Sequence, residues 1–203
     1  MSRVLLKAMK NHAHVAENIY IGSCYSVSNT KFLEKKNIGF ILNASNREDH
    51  INDLGIPTIF INNILDVDMS GQKIDETSVE FMVDFIRKIR NAAAQIDLMV
   101  VNKGVSVLVH CEAGVNRSAS IIGTYLRIYK NYSSEETLSA IERANNTRLM
   151  PALNNIMFRN IVKGMSPDMV PRFPAKKGEV EIEDSAEGSA KSNVKNKIEK
   201  DGS

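Results

Sequence analysis

The chain has 203 residues, enough for one domain with a sizeable core and a tail. Hydrophobic residues make up 43% and the formal net charge is +2, which suits a globular protein and argues against a nucleic-acid binder, since that needs a concentrated basic face. No apolar run is long enough to span a membrane, residues 1–10 lack the apolar centre of a signal peptide, and two cysteines make no disulfide framework, so an intracellular, reducing location is expected.

In chain order, residues 1–16 are set apart as an N-terminal segment. Residues 18–22 read as a short strand ending at a glycine. Residues 31–37 are a short helix closed before Gly39. The apolar run 40–43 is a buried strand, and 58–64 is another. A helix begins after Asp75, whose carboxylate can cap it, with Val79, Met82, Val83, Ile86 and Ile89 on one face. Residues 91–104 make a long approach to residues 105–109, a β-branched apolar run that is a buried strand. After Arg117, the positions of Ile121, Ile122, Tyr125, Leu126 and Ile128 predict a helix apolar nearly all round, hence central. Ser133 to Glu136 has capping-box spacing for the next helix. Pro151 then interrupts, and residues 153–162 form a last helix. From Pro167 the composition turns to Lys, Glu, Ser and Gly, too polar to offset its ordering entropy, and predicts a disordered tail over 167–203. Strands alternating with helices predict a single α/β domain over residues 17–166, with a central, largely parallel sheet flanked by helices.

The chemistry concentrates between the strand ending at Val109 and the helix after Arg117. Ligands of α/β sheets bind beyond the carboxyl ends of strands. A loop that opens a helix there turns its N–H groups, and the positive end of the helix dipole, toward one small space suited to an anion. Gly114 permits the turn, and Arg117 adds a fork that matches two oxygens of a phosphate. Cys111 stands at the head of this nest, where a thiol loses its proton readily and can attack phosphorus as a thiolate. The phosphate-binding set is therefore Glu112, Ala113, Gly114, Val115, Asn116, Arg117 and Ser118. Cys24 is read as a small buried hydrophobe. No His and carboxylate cluster has ligand spacing, and the chemistry calls for no metal or cofactor.

The run His110-Cys111-Glu112-Ala113-Gly114-Val115-Asn116-Arg117-Ser118 resembles the signature of cysteine-dependent protein tyrosine phosphatases, and more narrowly of their small dual-specificity branch. Residues 18–23 are similar to the opening strand of that branch, residues 38–45 to another strand, and residues 151–158 to a loose form of the start of its last helix. Gly-Val-Asn-Arg-Ser is particularly similar to the loop of poxvirus dual-specificity phosphatases, which implies a viral source. Asn116 stands where cellular members usually carry Ser. The resemblance implies hydrolysis of phosphotyrosine and phosphoserine or phosphothreonine in protein substrates through a phosphocysteine. It also implies that His110 orients the loop, that Ser118 helps the thiolate leave, and that Glu112 faces solvent at the rim.

The departing oxygen needs a proton, which an Asp normally supplies. Asp66 and Asp68 both follow the 58–64 strand. Asp68 fits the family spacing better, since Ile64 lies four residues before it and Ile74 six after it. Two other enzymatic readings use the same loop. An RNA 5′-triphosphatase is disfavoured by the near-neutral charge, and a phosphoinositide phosphatase by Glu112, which repels a polyanionic head group. A non-catalytic phosphopeptide-binding module would usually lose the Cys or Arg that this chain keeps.

Overall fold

Short apolar runs become strands here, and the lengths of chain between them decide how those strands pair. A computed structural model of the chain describes residues 10–47, 52–67 and 75–170. Within these, one sheet contains β1 (His12–Ala16), β2 (Ile19–Gly22), β3 (Ile38–Asn43), β4 (Thr58–Phe60) and β5 (Ser106–His110). Only two residues separate β1 from β2, so they pair antiparallel. Longer connections make the remaining pairs parallel, in the order β1-β2-β5-β3-β4. β5 is the central strand, and its register aligns Gly22, His110 and Asn43 at the carboxyl edge.

All of β5 is buried, as a parallel strand covered on both faces should be. Its alternation divides the core. Val107 and Val109 join Ile19, Ile21, Phe40 and Leu42 on one face, whereas Leu108 joins Ile41, Val27 and Leu33 on the other. The second face is covered by α1 (Thr30–Lys35), capped by Asn29 and burying Phe32 and Leu33. The first face carries α2 (Glu76–Asp97), α3 (Arg117–Ile128), α4 (Ser134–Asn146) and α5 (Ile156–Gly164). As expected, α3 is buried nearly all round. Gly123 lets α5 approach it, since a Cβ there would lie 2.6 Å from Val162. Phe85 of α2 stacks on Phe158 of α5 at 4.2 Å between ring centres. Truncating such a buried ring to Ala costs about 3–5 kcal/mol.

The caps follow the sequence closely. The Asp75 carboxylate accepts from the Ser78 N–H at 2.8 Å, and both capping-box bonds between Ser133 and Glu136 are formed. Other expectations need correction. The inward face of α2 is Ser78, Phe85, Ile89, Ala92, Ala93 and Ile96; Val79 and Val83 are 46% and 60% exposed. Small Ala side chains set that face, and a count of large apolar residues passes over them. The strand placed at 58–64 stops at Phe60. The last helix starts at Ile156 rather than 153, because Asn155 caps it by accepting from the Phe158 N–H. Residues 12–16, set ahead of the domain, are a strand of its sheet. The long approach 91–104 is the continuation of α2 to Asp97, followed by a π turn over Leu98–Asn102. Of the segment read as a disordered tail, Pro167–Met169 is a 3₁₀ turn whose Met169 carbonyl accepts from Arg90; residues 171–203 lie outside the described residues.

Candidate active site at the carboxyl end of the central strand

β5 ends at His110, and the chain must reach α3 by Arg117, so residues 111–116 form a tight loop over the sheet edge. The turn is made by Gly114 at φ +71, in the left-handed region that glycine adopts without strain. A Cβ at this residue would lie 2.5 Å from the Gly22 carbonyl oxygen and 2.7 Å from Arg148. Glycine is therefore required twice over, for its φ and for its lack of a side chain.

The surrounding frame takes hold of the loop by its carbonyls. Cys24 N–H donates to Glu112 O at 3.1 Å, and Leu153 N–H to Val115 O at 3.1 Å. Arg148 donates to Ala113 O at 2.6 Å and to Gly114 O at 2.9 Å, with Asn145 Nδ2 also on Gly114 O at 3.1 Å. Asn116 O accepts from the Ser120 N–H and hydroxyl, both at 2.8 Å. With five successive carbonyls engaged outward, and the Cys111 N–H on Gly22 O and the Gly114 N–H on Cys111 Sγ, the other loop N–H groups are left for an anion. The start of α3 adds the positive end of its dipole to the same place.

Cys111 is 2% exposed at the centre of this arrangement. Its Sγ accepts from the Gly114 N–H at 3.2 Å and lies 3.4 Å from Ser118 Oγ. Burial is the largest influence on its acidity and pushes the thiol upward. The Arg117 charge, Ser118 and the Gly114 N–H together outweigh it, and the net shift is downward. Arg117 is partly exposed at the first position of α3 and forms no ion pair with a described carboxylate. Cys24, by contrast, is pushed up to about 11 by burial. It is buried, 1% exposed, as expected of a small hydrophobe.

Asn116 ties the loop to two distant segments. Its Nδ2 donates to both oxygens of Asp66 at 3.1 Å, and its Oδ1 accepts from the Asn155 N–H at 3.2 Å. Asn155 Nδ2 closes the circuit on Asp66 at 3.2 Å and on Val67 O at 3.0 Å. Asp66, Asn116, Asn154 and Asn155 line an open cavity of about 270 Å³ beside the loop. Residues 111–118 are thus brought together with Asp66. Asp68 lies outside the described residues. Sequence reasoning missed Arg148, Asn145 and Asn155. Asn145 sits in the last turn of α4 and Arg148 in the turn just after it, where polar residues are ordinary; Asn155 lies within the stretch that resembles a last-helix start.

The pattern for the dual specificity phosphatase catalytic domain matches residues 19–162. Protein 123R of Invertebrate iridescent virus 6, named for tyrosine phosphatase, is 27% identical over 131 residues, covering 64% of this chain and 76% of that protein. Human dual specificity protein phosphatase 5 is 30% identical over 130 residues, covering 62% and 29% respectively. The tyrosine-protein phosphatase yvh1 of Schizosaccharomyces pombe is 26% identical over 134 residues, covering 66% and 36%. This chain thus matches about a third of the length of the latter two relatives. Human DUSP28 has a similar fold, with a TM-score of 0.60 at 16% identity over 76% of this chain and 91% of that structure.

Proposed function

The chain belongs to the dual specificity phosphatase family, and from that premise we propose that it is a protein phosphatase that hydrolyses phosphotyrosine and phosphoserine or phosphothreonine through a phosphocysteine. The observation that carries this reading is Cys111: a buried thiol, its acidity raised by a neighbouring cation and two donors, at the focus of a loop whose carbonyls from Glu112 to Asn116 are engaged elsewhere. The thiolate attacks phosphorus and the bond to the substrate oxygen breaks, while the loop N–H groups and Arg117 hold the other phosphoryl oxygens. Asp68 gives its proton to the departing oxygen. Asp68 then takes a proton from water as that water attacks the phosphocysteine, releasing inorganic phosphate and the thiolate, which Ser118 stabilises by its hydroxyl.

The acid role goes to Asp68 on spacing. What supports it over Asp66 is that two amide groups already donate to Asp66, bonds a proton donor would have to give up. His110, wholly buried at the end of β5, is assigned to orient the loop. The substrates are phosphorylated proteins met inside the cell. No described helix is long and apolar enough to cross a membrane. The test compares initial rates on a phosphotyrosine peptide, a phosphothreonine peptide and triphosphate-ended RNA, each with wild type and Cys111→Ser. Turnover of both peptides, abolished by the substitution, is expected. Preference for the RNA would replace the proposal with the triphosphatase reading.

A further inference from the structure

Arg148 is a cation buried without a described carboxylate partner. It is 2% exposed; its Nη donors end on the carbonyls of Ala113 and Gly114 and on Asn145 Oδ1, and its buried Nε has no hydrogen-bond partner among the described residues. Oxygen acceptors take up its Nη hydrogen bonds but do not neutralise its charge, and buried ions are ordinarily paired. The buried group whose charge Arg148 senses is Cys111, also 2% exposed. One peptide group connects them. Arg148 Nη2 donates to Ala113 O at 2.6 Å, and the N–H of that same peptide, on Gly114, donates to Cys111 Sγ at 3.2 Å. A cation on the carbonyl oxygen polarises the amide and strengthens its N–H as a donor.

We infer that Arg148 is a second countercharge of the Cys111 thiolate, a positioning residue that keeps the sulfur ionised through the Ala113–Gly114 peptide from the frame side of the loop. This rests on the reading of Cys111 as a thiolate nucleophile. The charges on that frame agree with it. Burial lowers Arg148 to about 10, with Cys111 acting in the opposite sense, so the guanidinium stays protonated at neutral pH. His12 of β1, which also senses Arg148, is held down to about 4, chiefly by burial, and is uncharged there. Around the sulfur stand Arg117 and Ser118 of α3, the Gly114 N–H, Cys24 after β2, and the chain neighbours His110 and Glu112. None of these others contacts the Ala113 carbonyl through a cation.

The test is the rate of Cys111 alkylation by iodoacetamide from pH 4 to 9, read by mass spectrometry, beside thermal melting. Cys24, raised to about 11 by burial, stays silent. Arg148→Gln keeps a donor and loses the charge. It is expected to move the alkylation midpoint upward and slow the reaction on the order of tenfold at low pH. Arg148→Lys keeps the charge and loses the fork, so its midpoint should stay near wild type while its melting temperature falls. A folded Gln variant with the wild-type midpoint overturns the inference, as does an equal rise in both variants. If the Gln variant does not fold, the Lys variant decides alone, and a full-unit rise in its midpoint counts against the charge. A wild-type midpoint like that of a free thiol would instead defeat the thiolate reading itself.

Discussion

At the residue scale, the site separates charge from geometry. Arg117 offers a planar fork at the start of α3, and a lysine there would supply charge as a point. Arg117→Lys should therefore lose most turnover while the protein still folds; wild-type steady-state kinetics in that variant would remove the bidentate role. The two aspartates separate in a different way. Phosphotyrosine and phosphothreonine leave as basic oxyanions, whereas an activated aryl phosphate hardly needs a proton. Asp68→Asn should slow peptide hydrolysis by about 10²–10⁴-fold, leave the activated ester far less affected, and erase the basic limb of the pH–rate profile. Asp66→Asn should keep that limb and lower stability, because its carboxylate is the acceptor for Asn116 and Asn155. An exchange of these phenotypes would make Asp66 the acid.

At the element scale, the Asp66–Asn116–Asn155 circuit joins the segment after β4, the loop 111–116 and the start of α5. Asn116→Ser is too short to serve both partners. It should cost about 1 kcal/mol per hydrogen bond lost, read as a fall in melting temperature with a lower rate on peptide substrate. Unchanged melting and kinetics would mean that the circuit contributes nothing. These elements show what a sequence makes legible. Cys111, Gly114 and Arg117 lie within seven residues between a β-branched run and an apolar helix, so local spacing suffices to find them. The caps of α2 and α4 are equally local. Asn145 and Arg148 reach the loop from 31 and 34 residues away through carbonyls that every residue possesses, and Asn155 from 39 residues away through its backbone N–H, so no side-chain pattern announces these bonds. The inward face of α2 escapes a count of large apolar residues for a related reason, since Ala92 and Ala93 suit close packing of the helix against α3.

At the scale of the whole molecule, the boundary of the folded unit can be placed by hydrogen bonds. A chain ending at Val170 should keep wild-type melting and turnover, because the remaining composition is polar. A chain ending at residue 166 should melt lower, since Arg90 loses the Met169 carbonyl. Equal melting of the two would move the boundary back to 166. Acid stability has its own marker. His12 stacks on Phe32 at 3.5 Å and is lowered to about 4, chiefly by burial. Its folded value lies below its unfolded value of 6.5, so the unfolded chain binds the proton first. The stability it contributes is complete above pH 6.5 and is lost as pH falls toward 4. His12→Phe should keep the stack and flatten the decline of melting temperature across that window; an unaltered decline would assign acid sensitivity elsewhere.

The sheet order carries a consequence for biosynthesis. β2 and β3 both rest on β5 rather than on each other, and the ribosome delivers β5 last of the five. From Asn43 to His110 is 67 residues, about 3–13 s of elongation at roughly 5–20 residues per second. Through that interval the nascent chain holds two apolar strands whose shared neighbour does not yet exist, each with a side open to any other strand it meets. The protein is most vulnerable to aggregation then. The same strand that presents the cysteine is the one whose insertion ends the exposure. Pulse-labelled amide exchange during refolding should show β2 and β3 gaining protection together with β5; firm protection of either one beforehand would show that another segment shields it first.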